Sequence, residues 1–448
     1  MYETPAASSP VLLSDGAELH VLSPLDAIMG ALGLTAIYVF PPPQAGAPAY
    51  DLDRVHSAFV STIEEDYPLF VGKPHVDPET GAVGILHRPE DRANTTRFFT
   101  DMTCALTTAE AIAHPPTTFL PDRDRDGELL TAKATLLSDG GLVLGYNATH
   151  ALLDGQGFFT FFNVWGMHYR GVPREQRPVI NHDRHLTAPR GVGYKMEHPE
   201  FITPERTQPE TPAGVAAKGA AAQKQFPATT QKPFHLTPDQ LRNLKAAVSR
   251  GLPEGEFVST IDVVTALFLV LITQARGHGQ DVKITTGVNA RTRFNPPLPL
   301  HYAGNCIFNA YSAYTKDELA VVSPGALQII ARRIRASVLR RDEAFLRDAI
   351  EFIAQPGAKW IEMRAGVEFF FGNDLMFTSW ANMGMYDADF GAGNSVYTGP
   401  PHLPLCDGMI VIMDGINNAA GLDVLPLLEC NTMDKLTELW EGCQLLQL

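Results

Sequence analysis

At 448 residues the chain exceeds what one hydrophobic core ordinarily organises, roughly 250–300 residues, so two domains are expected. With 45% hydrophobic and 19% charged residues it has the composition of a folded globular protein, which excludes a disordered or fibrous chain. A formal net charge of −15 argues against nucleic acid and anionic membrane surfaces as partners.

The N-terminal Met1-Tyr2-Glu3-Thr4-Pro5 lacks the basic region of a secretory signal, and Pro24 and Asp26 interrupt the apolar stretch 21–40, so no membrane span is expected. Residues 34–40 are β-rich and stop at Pro41-Pro42-Pro43. Residues 51–65 have helical spacing, with Val55, Phe59, Val60 and Ile63 on one face. An apolar strand-like run at 141–146 leads into Asn147-Ala148-Thr149-His150-Ala151-Leu152-Leu153-Asp154-Gly155. A Pro-, Ala-, Thr-, Gln- and Lys-rich stretch without an apolar face covers 203–233 and reads as a crossover. It divides the chain into 1–202 and 234–448.

In the second half, Thr237-Pro238 is a helix start, Ser259-Thr260-Ile261-Asp262 opens a second helix, and 283–288 reads as a strand. Ser323-Pro324 opens a basic amphipathic helix to about Leu346, and 409–413 is another strand. The arginines of that helix read as a solvated face. Cys104, Cys306, Cys406, Cys430 and Cys443 form no C-x-x-C pair, which favours a reducing compartment. The C-terminal 444–448 matches no retention or peroxisomal address, so a cytoplasmic location is expected. His168, His182, His185 and His278 lack metal-ligand spacing, and no metal site is expected.

Histidine is the side chain whose ordinary pKa lies nearest neutrality, so a fixed neutral imidazole at His150 can take a proton from a hydroxyl or amine. Asp154, four residues on and followed by glycines, suits a tight turn that aims the ring. Three later segments join this pair: Asn289-Ala290-Arg291-Thr292-Arg293 with Pro296-Pro297-Leu298-Pro299, then Phe377-Thr378-Ser379-Trp380, then Asp389-Phe390-Gly391-Ala392-Gly393. Leu22-Ser23-Pro24-Leu25-Asp26 and the 67–72 segment Tyr-Pro-Leu-Phe-Val-Gly accompany them.

In these motifs, taken in order from about 20 to 415, the chain resembles the BAHD family of CoA-dependent acyltransferases, particularly fungal members of secondary metabolism. It departs where Ala392 replaces the tryptophan usual in Asp-Phe-Gly-Trp-Gly. The resemblance implies two similar chloramphenicol-acetyltransferase-like α/β domains, each a mixed sheet with flanking helices. It implies transfer of an acyl group, most simply acetyl, from acyl-CoA as co-substrate to a hydroxyl of a small acceptor, with no permanently bound cofactor and a monomer as the working unit. His150 becomes the general base, with Asp154 and Asp389 as further catalytic candidates. Asp154 is expected to hold the loop by pairing with Arg291 or, alternatively, Arg293. Asp389, with Gly391 and Gly393, is alternatively a turn carboxylate, and Gly155 belongs to the structural motif. Thr378 and Trp380 match positions that help the oxyanion, and Ser259 and Thr260, at a helix start, are candidates to meet a CoA phosphate.

Rival readings are an amine acceptor, a carrier-protein thioester donor, and a non-catalytic interaction protein. Thr149 stands where a condensation domain has a second histidine, and no G-x-S-x-G elbow supports a serine hydrolase.

Overall fold

The computed structural model describes residues 10–30, 32–77, 83–88, 96–102, 104–122, 128–202, 226–277, 279–355, 363–403 and 406–447. The expected crossover therefore lies outside the described residues from 203 to 225, as does His278. Two mixed sheets dominate. The first has five strands, in the order Tyr397–Gly399, Gly33–Phe40, Leu142–Thr149, Leu130–Leu136, Thr96–Asp101. The second runs Thr229–Gln231, Leu422–Glu429, Met409–Asp414, Leu375–Ser379, Val282–Asn289, Ile307–Tyr314, with Phe234–Leu236 also on Leu422–Glu429. Leu375–Ser379 is parallel to both its neighbours, and Thr96–Asp101 is parallel to Leu130–Leu136.

On the first sheet lie the helices Leu52–Asp66 and Gly155–Arg170. Phe158, Phe161, Phe162 and Trp165 recur at helical spacing along the latter and are wholly buried. The Trp165 indole also donates to the Val55 carbonyl at 3.0 Å, so its one polar atom is satisfied inside the core. Behind the second sheet, the helix Thr260–Arg276 is buried on every side from Asp262 to Thr273. It sits under Pro238–Ser249, Pro324–Leu339 and Cys430–Glu441, which explains why its sequence is apolar all round. Thr237 and Ser259 start their helices with reciprocal capping boxes, closed by Gln240 and Asp262. The two-domain mixed α/β architecture is thus present. Among the described residues no helix is long and apolar enough to cross a membrane.

Two features depart from the sequence reading. The basic helix ends at Leu339 instead of about 346, because Asp342 accepts the Phe345 amide at 2.9 Å and caps a new helix, Glu343–Ile353. Its arginines are also paired rather than bare: Arg332 meets Glu256, Arg333 meets Glu318 and Arg335 meets Asp262. The second departure concerns the strand Tyr397–Gly399. It follows the crossover in sequence, yet pairs antiparallel with Ile37–Val39 and closes the edge of the first sheet.

Candidate active site

The strand Leu142–Thr149 ends where the Thr149 amide reaches the Leu129 carbonyl, and the next amide, that of His150, donates to Leu32 at 3.0 Å. Four residues later Asp154 caps the helix Gly155–Arg170 by accepting the Gly157 amide at 3.0 Å. The turn between strand and helix is therefore held at both ends, with the half-buried His150 ring at its start.

Asp154 is completely buried. Arg291 grips it with two parallel bonds, Nη1 to Oδ2 at 2.7 Å and Nη2 to Oδ1 at 2.9 Å, and the Cys306 amide donates to Oδ2 at 3.0 Å. With Gly157 this gives the carboxylate four donors, which saturates it. Burial opposes the charge of Arg291, but Asp154 outweighs that and raises its pKa above the ordinary value. Arg291 Nη2 also donates to the carbonyls of Tyr302 and Gly304. Asp154 thus joins the motif turn to the 289–306 loop and has no lone pair left for proton traffic; the catalytic expectation for it is corrected to a structural one. Arg293 is not its partner: that guanidinium donates to the carbonyls of Val338 and Arg341.

His150 is fixed by a residue to which the sequence reading gave no role. Its Nδ1 lies 2.9 Å from Oδ1 of Asn305, and Asn305 Nδ2 donates to the His150 carbonyl at 2.7 Å and to Asp26 Oδ1 at 3.0 Å. An amide oxygen only accepts, so Nδ1 carries a proton, and in the neutral ring the free lone pair is the one on Nε2. Asp26 lay in the quoted 22–26 motif, and Asn305 follows shortly after the Pro296-Pro297-Leu298-Pro299 run.

Across the first turn of the helix, Gln156 bonds Asn289 from the end of Val282–Asn289. The Trp380 ring stands edge-on to Phe159, with centroids 5.7 Å apart, and beside Gly155. Thr378, in register with Val411, presents its hydroxyl towards Gly287. The structure thus gathers Gly155, Trp380, Asp154 and Arg291 around the start of this helix.

Asp389 is elsewhere. Its Oδ1 accepts the amides of Gly391 and Gly393, at 2.7 and 3.1 Å, and those glycines take φ of +97° and +104°. Its Oδ2 faces Arg170, and its backbone packs on Gly166, roughly 16 Å along the helix from Gly155. The catalytic expectation for Asp389 is corrected: it is a turn carboxylate. Phe390 anchors the turn between Phe40, Trp165 and Tyr169, and Ala392 lies partly buried against the same core. A Cβ on Gly166 would come 2.5 Å from the Asp389 carbonyl oxygen. Gly166→Ala is therefore expected to lower stability by about 1–3 kcal/mol, measured by denaturant unfolding, while Asp389→Asn leaves KM for acyl-CoA near its starting value.

The helix start at Ser259 and Thr260 is occupied from within. Ser259 Oγ accepts the Asp262 amide at 3.1 Å, its own amide donates back to Asp262 at 2.6 Å, and Arg335 binds the same carboxylate. The Ser259 hydroxyl oxygen is thus taken by a backbone amide of its own helix, and the positive end of that helix faces the Asp262 carboxylate.

Among the described residues, Glu65, Asp66 and His168 bring ligand-type atoms within 4.8 Å of one another, as do Glu18, His20 and His87. The first group is knitted by a cation: Arg177 reaches Asp66 at 2.9 Å and Glu65 at 2.7 Å, and His168 bonds Asp66 at 2.8 Å. Nearby, His182 Nε2 donates to the Asp66 carbonyl at 2.8 Å. Burial first, and the Arg184 charge second, push its pKa down to about 4. The unfolded chain therefore binds a proton here below about pH 6.5 that the folded chain refuses until about pH 4. Stability is expected to fall as pH drops through that window, by on the order of 3 kcal/mol, and a His182→Gln variant should show a shallower fall in unfolding free energy between pH 6.5 and 4. His185 lies at the surface, its amide accepted by Asp183.

The chain is 27% identical over 428 residues to hydroxycinnamoyltransferase 2 of Oryza sativa subsp. japonica, covering 92% of this chain and 93% of that protein. Agmatine hydroxycinnamoyltransferase 1 of the same plant is 26% identical over 445 residues, covering 96% and 94%. In structure it resembles F. graminearum TRI101 complexed with coenzyme A and T-2 mycotoxin, with a TM-score of 0.76 at 17% identity over 95% of this chain and 98% of that one. The model of the Transferase family matches residues 18–442, and the chain belongs to that family, the BAHD acyltransferases that use CoA thioesters.

Proposed function

We propose that the protein transfers an acetyl group from acetyl-CoA to a hydroxyl of a small secondary metabolite, directly and with His150 as general base. The observation that carries this reading is the Nδ1 bond of His150 to Asn305, which leaves Nε2 basic. As the acceptor oxygen attacks the thioester carbonyl, Nε2 takes its proton and a C–O bond forms. The tetrahedral oxyanion then collapses, the C–S bond breaks, and the same proton passes to the CoA thiolate. The Trp380 indole N–H and Thr378 hydroxyl are the oxyanion donors in this scheme. No acyl-enzyme is required, and the working unit in this reading is a cytoplasmic monomer. Coenzyme A and a mycotoxin share the TRI101 complex, which supports a CoA thioester donor with a small-molecule acceptor.

A second reading has a larger aromatic acyl group or an amine acceptor, favoured by the relatives named agmatine and putrescine hydroxycinnamoyltransferases. Free-thiol release should be followed with acetyl-CoA and coumaroyl-CoA against panels of hydroxylated and amine acceptors, with mass detection of products. Acetylated alcohols support the first reading and coumaroyl amides the second. No release above spontaneous hydrolysis with any pair would overturn both.

A further inference from the structure

We propose that Asp26 and Asn305 are positioning residues that select the Nδ1-protonated tautomer of His150, with Arg184 holding Asp26 for that task. The proposal rests on the reading of His150 as general base and extends it to how the base is kept competent.

A side-chain amide has nearly the same shape when turned by half a rotation, so the ring alone does not decide which end of Asn305 it meets. Turned over, Asn305 would offer N–H to Nδ1. The proton would then move to Nε2, which could no longer accept one from a hydroxyl. The other partners of the amide exclude that state. Nδ2 faces two groups that only accept, Asp26 Oδ1 at 3.0 Å and the His150 carbonyl at 2.7 Å. Reversal would set the amide oxygen against both of them in a site where Asn305 and Asp26 are fully buried.

Asp26 is itself held against rotation. Its Oδ1 also takes the Asn305 backbone N–H at 2.7 Å, and its Oδ2 takes the Ser23 hydroxyl at 2.8 Å and the Ser23 backbone N–H at 3.3 Å. Arg184 Nε lies 3.0 Å from Oδ2, while its Nη2 is anchored on the Leu152 carbonyl, inside the His150–Asp154 turn. Arg184 therefore ties the carboxylate to the same turn that carries the ring. The chain of contacts runs from a cation through an acid and an amide to the imidazole, and only its last member can meet substrate.

The test reads the tautomer directly. Nitrogen spectra of the protein labelled in histidine, with the His150 signals assigned by their loss in His150→Gln, should show a protonated Nδ1 and a bare Nε2. Asn305→Ala should mix the tautomers and lower kcat roughly 10- to 100-fold, with KM for acyl-CoA within about twofold. Asp26→Asn, which keeps the shape and opens no cavity, should act in the same direction with a smaller loss. A protonated Nδ1 and unchanged kcat in Asn305→Ala, or a kcat unchanged in Asp26→Asn, would overturn the proposal. If His150 is not the base, the failure is different: His150→Gln keeps its turnover whatever the tautomer.

Discussion

His150→Gln is expected to lower kcat by roughly 10²–10⁴-fold, the range assigned to a positioned general base, with little change in the protein's affinity for CoA. The substitution is well placed for such a test. The His150 ring is half-buried, and its amide bond to Leu32 and its carbonyl bond from Asn305 survive any side-chain change. What is lost is the one bond from Nδ1 to Asn305, which costs about 1 kcal/mol and leaves the fold intact. Thiol release and thermal unfolding should be measured on the same preparation. A variant that keeps more than a tenth of the starting turnover would remove His150 from the proposed mechanism.

The second large effect concerns stability. Asp154→Ala leaves the guanidinium of Arg291 buried without its counter-ion, and Arg291→Leu leaves the carboxylate likewise. Each should cost about 3–5 kcal/mol in denaturant unfolding. The double variant Asp154→Ala, Arg291→Leu should cost clearly less than the two losses added, because it buries no lone charge. Turnover should fall in all three, since the pair holds the loop that carries Asn305. Single losses below about 1 kcal/mol, or strict additivity, would contradict the picture of a shared, solvent-free pair.

Much of this site was legible because its parts are written close together in the chain. His150 and Asp154 stand four apart, with a strand pattern before them and a helix pattern after, and the capping residues at Thr237 and Ser259 read correctly as helix starts. Asp26 and Asn305 are 279 positions apart, and no local spacing says that one will orient the amide of the other. Asp389 misled for the complementary reason. Its motif is local and well marked, but a motif says nothing of distance, and the helix Gly155–Arg170 sets its two ends far apart. The break before Asp342 was hidden because apolar spacing continues across it, and the capping bond that ends the periodicity is made by a single side chain.

The strand Tyr397–Gly399 has a consequence for the order in which the chain is made. Its partner, Ile37–Val39, is synthesised some 358 residues earlier (Val39 to Tyr397). At ordinary elongation rates of about 5–20 residues per second, the first sheet waits roughly 20–70 s for its last strand. Throughout that interval the backbone of Gly33–Phe40 presents an open pairing edge beside the strand that leads to His150. On the ribosome, then, the half of the molecule that carries the histidine is begun first and stays unfinished until Gly399, when only the last strands and helix of the other half remain to be made.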